Sequence, residues 1–84
     1  PGPLAHVKNQ ARLRAIQQTL GDEIGEFHPD AIRLACDGLY HLSPGLVPEV
    51  RRLAERLVEM GLPPHKLGRG RVFYTLMQEI RNGV

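Results

Sequence analysis

The sequence lacks a second cysteine for a disulfide, an apolar run long enough to span a membrane, and a recognisable set of catalytic residues. Its single cysteine, Cys36, cannot form an internal disulfide, which is typical of a reducing compartment, cytoplasmic or nuclear. No apolar run reaches the length of about 18 residues that a membrane-spanning helix needs, and the N-terminus does not resemble a signal peptide. We therefore expect an intracellular protein without a membrane partner.

Groups that would support catalysis or bind a metal are few and scattered. The four histidines show no metal-ligand spacing, and Cys36 lies on an apolar helical stripe, where a small core residue is expected. Three acidic residues in a glycine-punctuated connector are typical of a solvated turn; they are Asp22, Glu23 and Glu26. The sequence predicts no catalytic, cofactor-binding or metal-binding residue, and we expect a protein that is not an enzyme.

The net charge is only +2, but the charges are unevenly distributed. Residues 1–20 carry +3, residues 21–48 carry −4, and the remainder carries +3. The excess of positive charge is too small to indicate a nucleic-acid-binding protein by itself. An acidic middle between basic ends predicts one negative face, or a surface for a partner of mixed charge.

The apolar residues recur at helical spacing, and no stretch alternates as a strand would. The spacing predicts helices over about residues 4–20, 29–42, 48–60 and 70–81, with a further helical turn near 64–68. We predict an all-α fold, a small bundle of three to four short helices. Residues 1–84 are expected to form one domain, with residues 1–3 as linker or as residues left by cloning.

The second predicted helix contains an internal glycine. Its buried stripe is expected to comprise Ile32, Ala35, Cys36, Leu39 and Leu42. Gly38 in the helix interior should cost about 1 kcal/mol relative to alanine. The expected compensation is the close approach of a neighbouring helix.

The segment HKLGRGRV, residues 65–72, has three interpretations. Arg69-Gly70-Arg71 resembles the core of an AT-hook, although Val72 replaces the proline of that motif. A phosphate-binding glycine loop would need a preceding strand, and none is predicted. The third interpretation, a basic flexible joint, is favoured. The alternative function, nucleic-acid binding, would place Lys66, Arg69 and Arg71 on phosphates.

The last predicted helix offers a candidate surface for a partner helix. Phe73, Tyr74 and Met77 lie close together in the sequence. They could form part of the core and its rim, or they could anchor a partner at an interface. We predict a docking face of Val72, Phe73, Leu76, Met77 and Ile80. The predicted polar rim, which would attract an acidic partner, comprises Arg51, Arg52, Lys66, Arg69 and Arg71. The sequence is compatible with either a homo-oligomer or a hetero-oligomer.

The stretch GLVPEVRRLAERLVEMGLPPHKL resembles the middle of the MOZART proteins, spindle-organising subunits of γ-tubulin complexes. The shared positions are Gly45, Leu46, Glu49, Leu53, Leu57, Val58, Glu59, Gly61, Leu62, Pro64 and Leu67. The resemblance implies a non-catalytic adaptor in microtubule organisation, at the centrosome or spindle. Its partner would be an N-terminal helical extension of a γ-tubulin complex protein. Residues 60–63 also resemble the first loop of ubiquitin-binding UBA domains, which is a further alternative.

Overall fold

A computed structural model describes residues 2–38 and 42–83. Over these residues it contains four α-helices and no strand, so the predicted all-α fold is confirmed. The helices are α1 (Gln10–Leu20), α2 (Pro29–Asp37), α3 (Val47–Glu59) and α4 (Val72–Asn82). Short 3₁₀ helices precede or join them; they are Pro3–His6, Gly21–Glu26, Pro44–Leu46 and Pro64–Leu67.

Each α-helix turns an apolar stripe toward one common core. The largest side chains that are fully buried come from all four α-helices and from the 3₁₀ helix Pro64–Leu67; they are Ile16, Ile32, Leu53, Leu57, Leu67, Met77 and Cys36. The three- and four-residue spacing of these positions is what lets each helix bury a single face. Cys36 is thus a core residue, as its place on the stripe predicted.

Helix α1 begins later than the sequence predicts, at Gln10 rather than near Leu4. The Asn9 side chain caps it by accepting the N–H of Arg12 at 3.1 Å. The carboxylate of Asp37 accepts the backbone N–H groups of Lys8 and Asn9, both at 3.0 Å. These amides are satisfied by a distant residue, so the chain forms a separate 3₁₀ helix upstream rather than one continuous helix.

Helix α2 ends at Asp37, so the predicted extension through Gly38 is wrong. Gly38 has φ = +83°, a left-handed conformation that stops the helix, and its N–H is donated to the carbonyl of Leu34 at 2.9 Å. The close approach expected there is made by the Arg71 side chain, not by a neighbouring helix. The predicted core position Leu39 lies outside the described residues.

Helices α3 and α4 lie within about two residues of their predicted positions. Pro48 lies in the first turn of α3, and Gly61 follows its end with φ = +86°. Helix α4 begins at Val72, two residues later than predicted, because Gly70 adopts φ = +80°. None of the helices in the described ranges is long and apolar enough to cross a membrane.

Candidate functional site

Two of the exposed large apolar side chains lie at the same groove. Within residues 2–38 and 42–83, three large hydrophobic residues are exposed: Val47 at 57%, Met60 at 44% and Val72 at 76%. Val47 is the first residue of α3 and Val72 the first residue of α4. Both line the same groove, whereas Met60 lies just beyond the opposite end of α3. Two of the three exposed apolar side chains therefore belong to one site.

We call this site the valine groove. It has a volume of about 520 Å³ and is lined by the aliphatic side chains of Leu34, Leu42, Val47, Val50, Val72 and Leu76. Leu34, Leu42 and Leu76 are only partly buried, although they also pack against the core. The polar side chains at its border are Arg51, Arg71, Thr75 and Glu79. Aliphatic side chains thus make up most of the groove lining, together with side chains of both charge signs.

The predicted docking face on α4 is divided between the core and the groove. Phe73 is 2% exposed and Met77 is fully buried, so neither is available on the surface of this fold. Residues four apart share a helix face, and the face of these two side chains is turned inward. Of the five predicted positions, Val72 and Leu76 line the valine groove. Ile80 is partly buried against the core and does not line it.

The predicted basic rim is likewise dispersed. Arg51 borders the groove and pairs with Glu55 at 3.6 Å. Arg52 is turned elsewhere, because it pairs with Glu49 at 3.0 Å and its guanidinium lies 4.1 Å from the centre of the Phe27 ring. Lys66 and Arg69 are exposed but do not line the groove.

Arg71 has a structural role that the sequence did not predict. Its guanidinium donates to the carbonyl of Asp37 and lies against Gly38. Arg12 donates to the neighbouring carbonyl, that of Cys36, at 3.0 Å. Two cations thus satisfy the carbonyl end of α2, where the helix dipole is negative. Gly38 was a local signal for a helix end, but nothing in the sequence indicated which distant arginines would reach it.

The single cysteine, Cys36, is free and buried in the core. Burial, with a smaller contribution from the adjacent Asp37 carboxylate, raises the pKa of Cys36 to about 12. A thiol with this pKa stays protonated near neutral pH, and the thiolate is the nucleophilic form. Among the described residues, no group of three or more His, Cys, Asp or Glu side chains is arranged to hold a metal ion.

Comparison of the chain with family models, with curated proteins and with solved structures finds no match. The structure itself shows a small all-α domain with a concave apolar surface, the valine groove. The apolar positions that carry the resemblance to MOZART proteins are mostly internal, since Leu53, Leu57 and Leu67 are fully buried. These shared positions therefore concern the packing of the helices and not the residues of the surface.

Proposed function

We propose that this protein is a non-enzymatic interaction module whose valine groove receives an amphipathic helix of a partner protein. The observation that carries the proposal is the exposure of Val47 and Val72 at one groove. Isolated exposed aliphatic residues are ordinary, but two that share a concave apolar surface are typical of a binding site. Burial of one such side chain contributes roughly 1.5 kcal/mol to association.

A helix fits the groove better than an extended peptide. Strand addition needs an open sheet edge, and the described part of the chain contains no strand. A groove walled by three helix segments suits a helix with apolar residues three and four apart. The cations Arg51 and Arg71 at the border favour an acidic flank on that helix, and Glu79 adds a place for one basic residue.

The resemblance to MOZART proteins supports one particular partner. It would make the bound helix an N-terminal extension of a γ-tubulin complex protein, and the module an adaptor at the centrosome or spindle. The shared positions within the core support a similar packing of the segment 45–67. The groove-lining residues Val72 and Leu76 lie outside that segment, so partner choice depends on other positions.

The test compares two exposed apolar positions. Val72→Gln places a polar group in the groove, and Met60→Gln makes a matched change at the far end of α3. The wild type and both variants are used as bait in lysate of cells that express the protein, and the captured proteins are identified by mass spectrometry. Cross-linking then locates the bound segment, which is synthesised and titrated calorimetrically.

We expect one captured segment to be an acidic amphipathic helix. Its affinity should fall about tenfold or more for Val72→Gln and stay unchanged for Met60→Gln, since loss of a buried valine costs roughly 1.5 kcal/mol. Recovery of γ-tubulin complex proteins would support the adaptor interpretation. Equal binding by both variants, a bound segment that is not helical, or a homodimer that Val72→Gln disrupts would each contradict the proposal.

A further inference from the structure

The basic residues of this protein fall into two groups. Of the eleven lysines and arginines, Arg33, Arg51, Arg52 and Arg56 have a carboxylate partner within 4.0 Å. Over the described ranges the others form no ion pair with a carboxylate; they are Lys8, Arg12, Arg14, Lys66, Arg69, Arg71 and Arg81. The paired cations lie on α2 and α3, whereas most of the unpaired ones lie in two other segments.

The fold brings those two segments together. Helix α1 packs against the 3₁₀ helix Pro64–Leu67, and a groove of about 580 Å³ between them is lined by Arg12, Arg14 and Lys66. Arg12 also borders a neighbouring groove with Lys8, and its guanidinium lies beside Gly68, immediately before Arg69. We call the five cations Lys8, Arg12, Arg14, Lys66 and Arg69 the basic face.

Negative charge is nearly absent from this surface. Among the described residues that line the groove of Arg12, Arg14 and Lys66, none is acidic. The neighbouring groove contains one carboxylate, that of Asp37, which accepts the N–H groups of Lys8 and Asn9 and keeps its negative charge. Five cations against this one carboxylate leave the basic face positive, and a polyanion would neutralise it.

The length and lining of the groove favour a phosphate backbone. Its lining runs along α1 from Asn9 to Thr19, about 15 Å at 1.5 Å per residue. At an axial rise of 3.4 Å per phosphate, a duplex strand presents about four phosphates over that length. Asn9 and Gln18 add neutral polar groups, and Ala11 and Ala15 leave room for close approach.

Other polyanions fit less well. A single strand usually stacks its bases on aromatic side chains, and none of the described lining residues is aromatic. An acidic peptide would gain affinity from apolar anchors, and the lining offers only two alanines and the nearly buried Leu62. We infer that the basic face binds the phosphate backbone of double-stranded nucleic acid without reading its sequence.

The inference is tested by fluorescence anisotropy with a labelled duplex of arbitrary sequence. Arg14→Gln and Lys66→Gln each remove one cation from the basic face. Arg81→Gln is the matched control, because Arg81 is exposed, forms no ion pair within the described ranges and lies at the far end of α4. Unlabelled single strand of the same sequence and poly-glutamate serve as competitors, and thermal unfolding verifies that each variant is folded.

We expect measurable duplex binding near 50 mM salt. The affinity should fall about 40-fold by about 200 mM salt, as expected if the three cations that line the groove, Arg12, Arg14 and Lys66, each contact one phosphate. Each of Arg14→Gln and Lys66→Gln should reduce the slope of log affinity against log salt by about one, whereas Arg81→Gln should not. No binding at low salt, or an equal loss for Arg81→Gln, would overturn the inference. Stronger competition by poly-glutamate or by the single strand would reassign the face to that polyanion.

Discussion

At the scale of single residues, Gly38 and Arg71 share one small space at the end of α2. A β-carbon on Gly38 would occupy the position of the Arg71 guanidinium, and φ = +83° is itself unfavourable for any residue with a side chain. The guanidinium is the far end of a flexible side chain and can move away. Its departure would leave the carbonyl of Asp37 without this donor. Gly38 is thus required for two separable reasons.

Gly38→Ala should lower the free energy of unfolding by roughly 3 kcal/mol, from backbone strain and from the lost charged hydrogen bond together. The matched control is Gly61→Ala, because Gly61 has φ = +86° with open space around it. That control should cost only the strain, about 1–2 kcal/mol. Chemical denaturation measures both values.

The Arg71→Ala background separates the two contributions. Without the guanidinium, Gly38→Ala should cost only its own backbone strain, so the double-mutant cycle should give a coupling of about 1–2 kcal/mol. An unchanged cost in the Arg71→Ala background would show that Arg71 contributes nothing to the requirement for glycine.

The candidate site could be predicted from the sequence only in part. Apolar periodicity correctly indicated that α4 has a buried stripe, but Val72-Leu76 and Phe73-Met77 are both spaced four apart. Which pair faces the core depends on how α4 is rotated against α3, a property of the packed molecule. Val72 and Leu76 line the valine groove, whereas Phe73 and Met77, the pair that contains the large aromatic side chain, are buried in the core.

At the scale of elements, two carboxylates join parts of the chain that local sequence does not connect. Glu23, in the 3₁₀ helix Gly21–Glu26, pairs with Arg56 of α3 at 2.6 Å. Glu49 of α3 pairs with Arg52 and also accepts the backbone N–H of His28, just before α2, at 2.8 Å. The hydrogen bonds from these arginines hold the pKa of Glu23 and of Glu49 below the ordinary value of 4.5.

These pKa shifts predict a loss of stability in acid. With a lowered pKa, each carboxylate binds fewer protons in the folded protein than in the unfolded chain, so stability rises with pH near 4.5. The contribution is present above 4.5 and is lost as the pH falls through the lower folded-state pKa. Denaturation at several pH values between about 6 and 3 should show this fall, with a shallower slope for Glu49→Gln.

The control for this series is Glu55→Gln, because Glu55 is exposed and pairs within its own helix. A slope in Glu49→Gln as steep as in the wild type would contradict the linkage of α2 to α3 through Glu49.

The presence of the four helices could be predicted from the local sequence, whereas the start of α1 and the end of α2 could not. Pro29, Pro48 and Gly61 restrict or relax only their own backbone conformation. The start of α2 and both ends of α3 accordingly lie close to where these residues indicate. The start of α1 depends on the carboxylate of Asp37, which is distant in sequence. The end of α2 depends on Gly38 leaving the helical conformation, and this conformation could not be distinguished in advance from a tolerated internal glycine.

At the scale of the whole molecule, folding sorts the charges that the sequence spreads along the chain. The sequence predicted basic ends and an acidic middle; the fold brings the N-terminal cations next to Lys66, and Arg12 next to Gly68, the residue before Arg69. Of the acidic residues at 21–48, Glu23 and Asp30 pair with arginines, Asp37 accepts backbone N–H groups, and Asp22 and Glu26 are exposed. The cations of the basic face, in contrast, have no carboxylate partner among the described residues.

The valine groove and the basic face are expected to bind independently. The groove along α1 and the valine groove share no lining residue, and the two sets of variants change no common contact. Arg71 is the nearest link, because it borders the valine groove and also the small groove that contains Lys8 and Arg12. Its guanidinium is held at the end of α2, so occupation of either surface has little cause to move it.

Val72→Gln should therefore leave duplex affinity within about twofold of wild type, and the combined variant Arg14→Gln/Lys66→Gln should do the same for the partner helix. Titration of the duplex against protein saturated with the partner peptide measures the coupling directly. A shift of tenfold or more would correspond to about 1.4 kcal/mol and would have to appear in both directions, because coupling between two ligands is reciprocal. Such a shift that disappears in Arg71→Ala would identify Arg71 as the residue that connects the two surfaces.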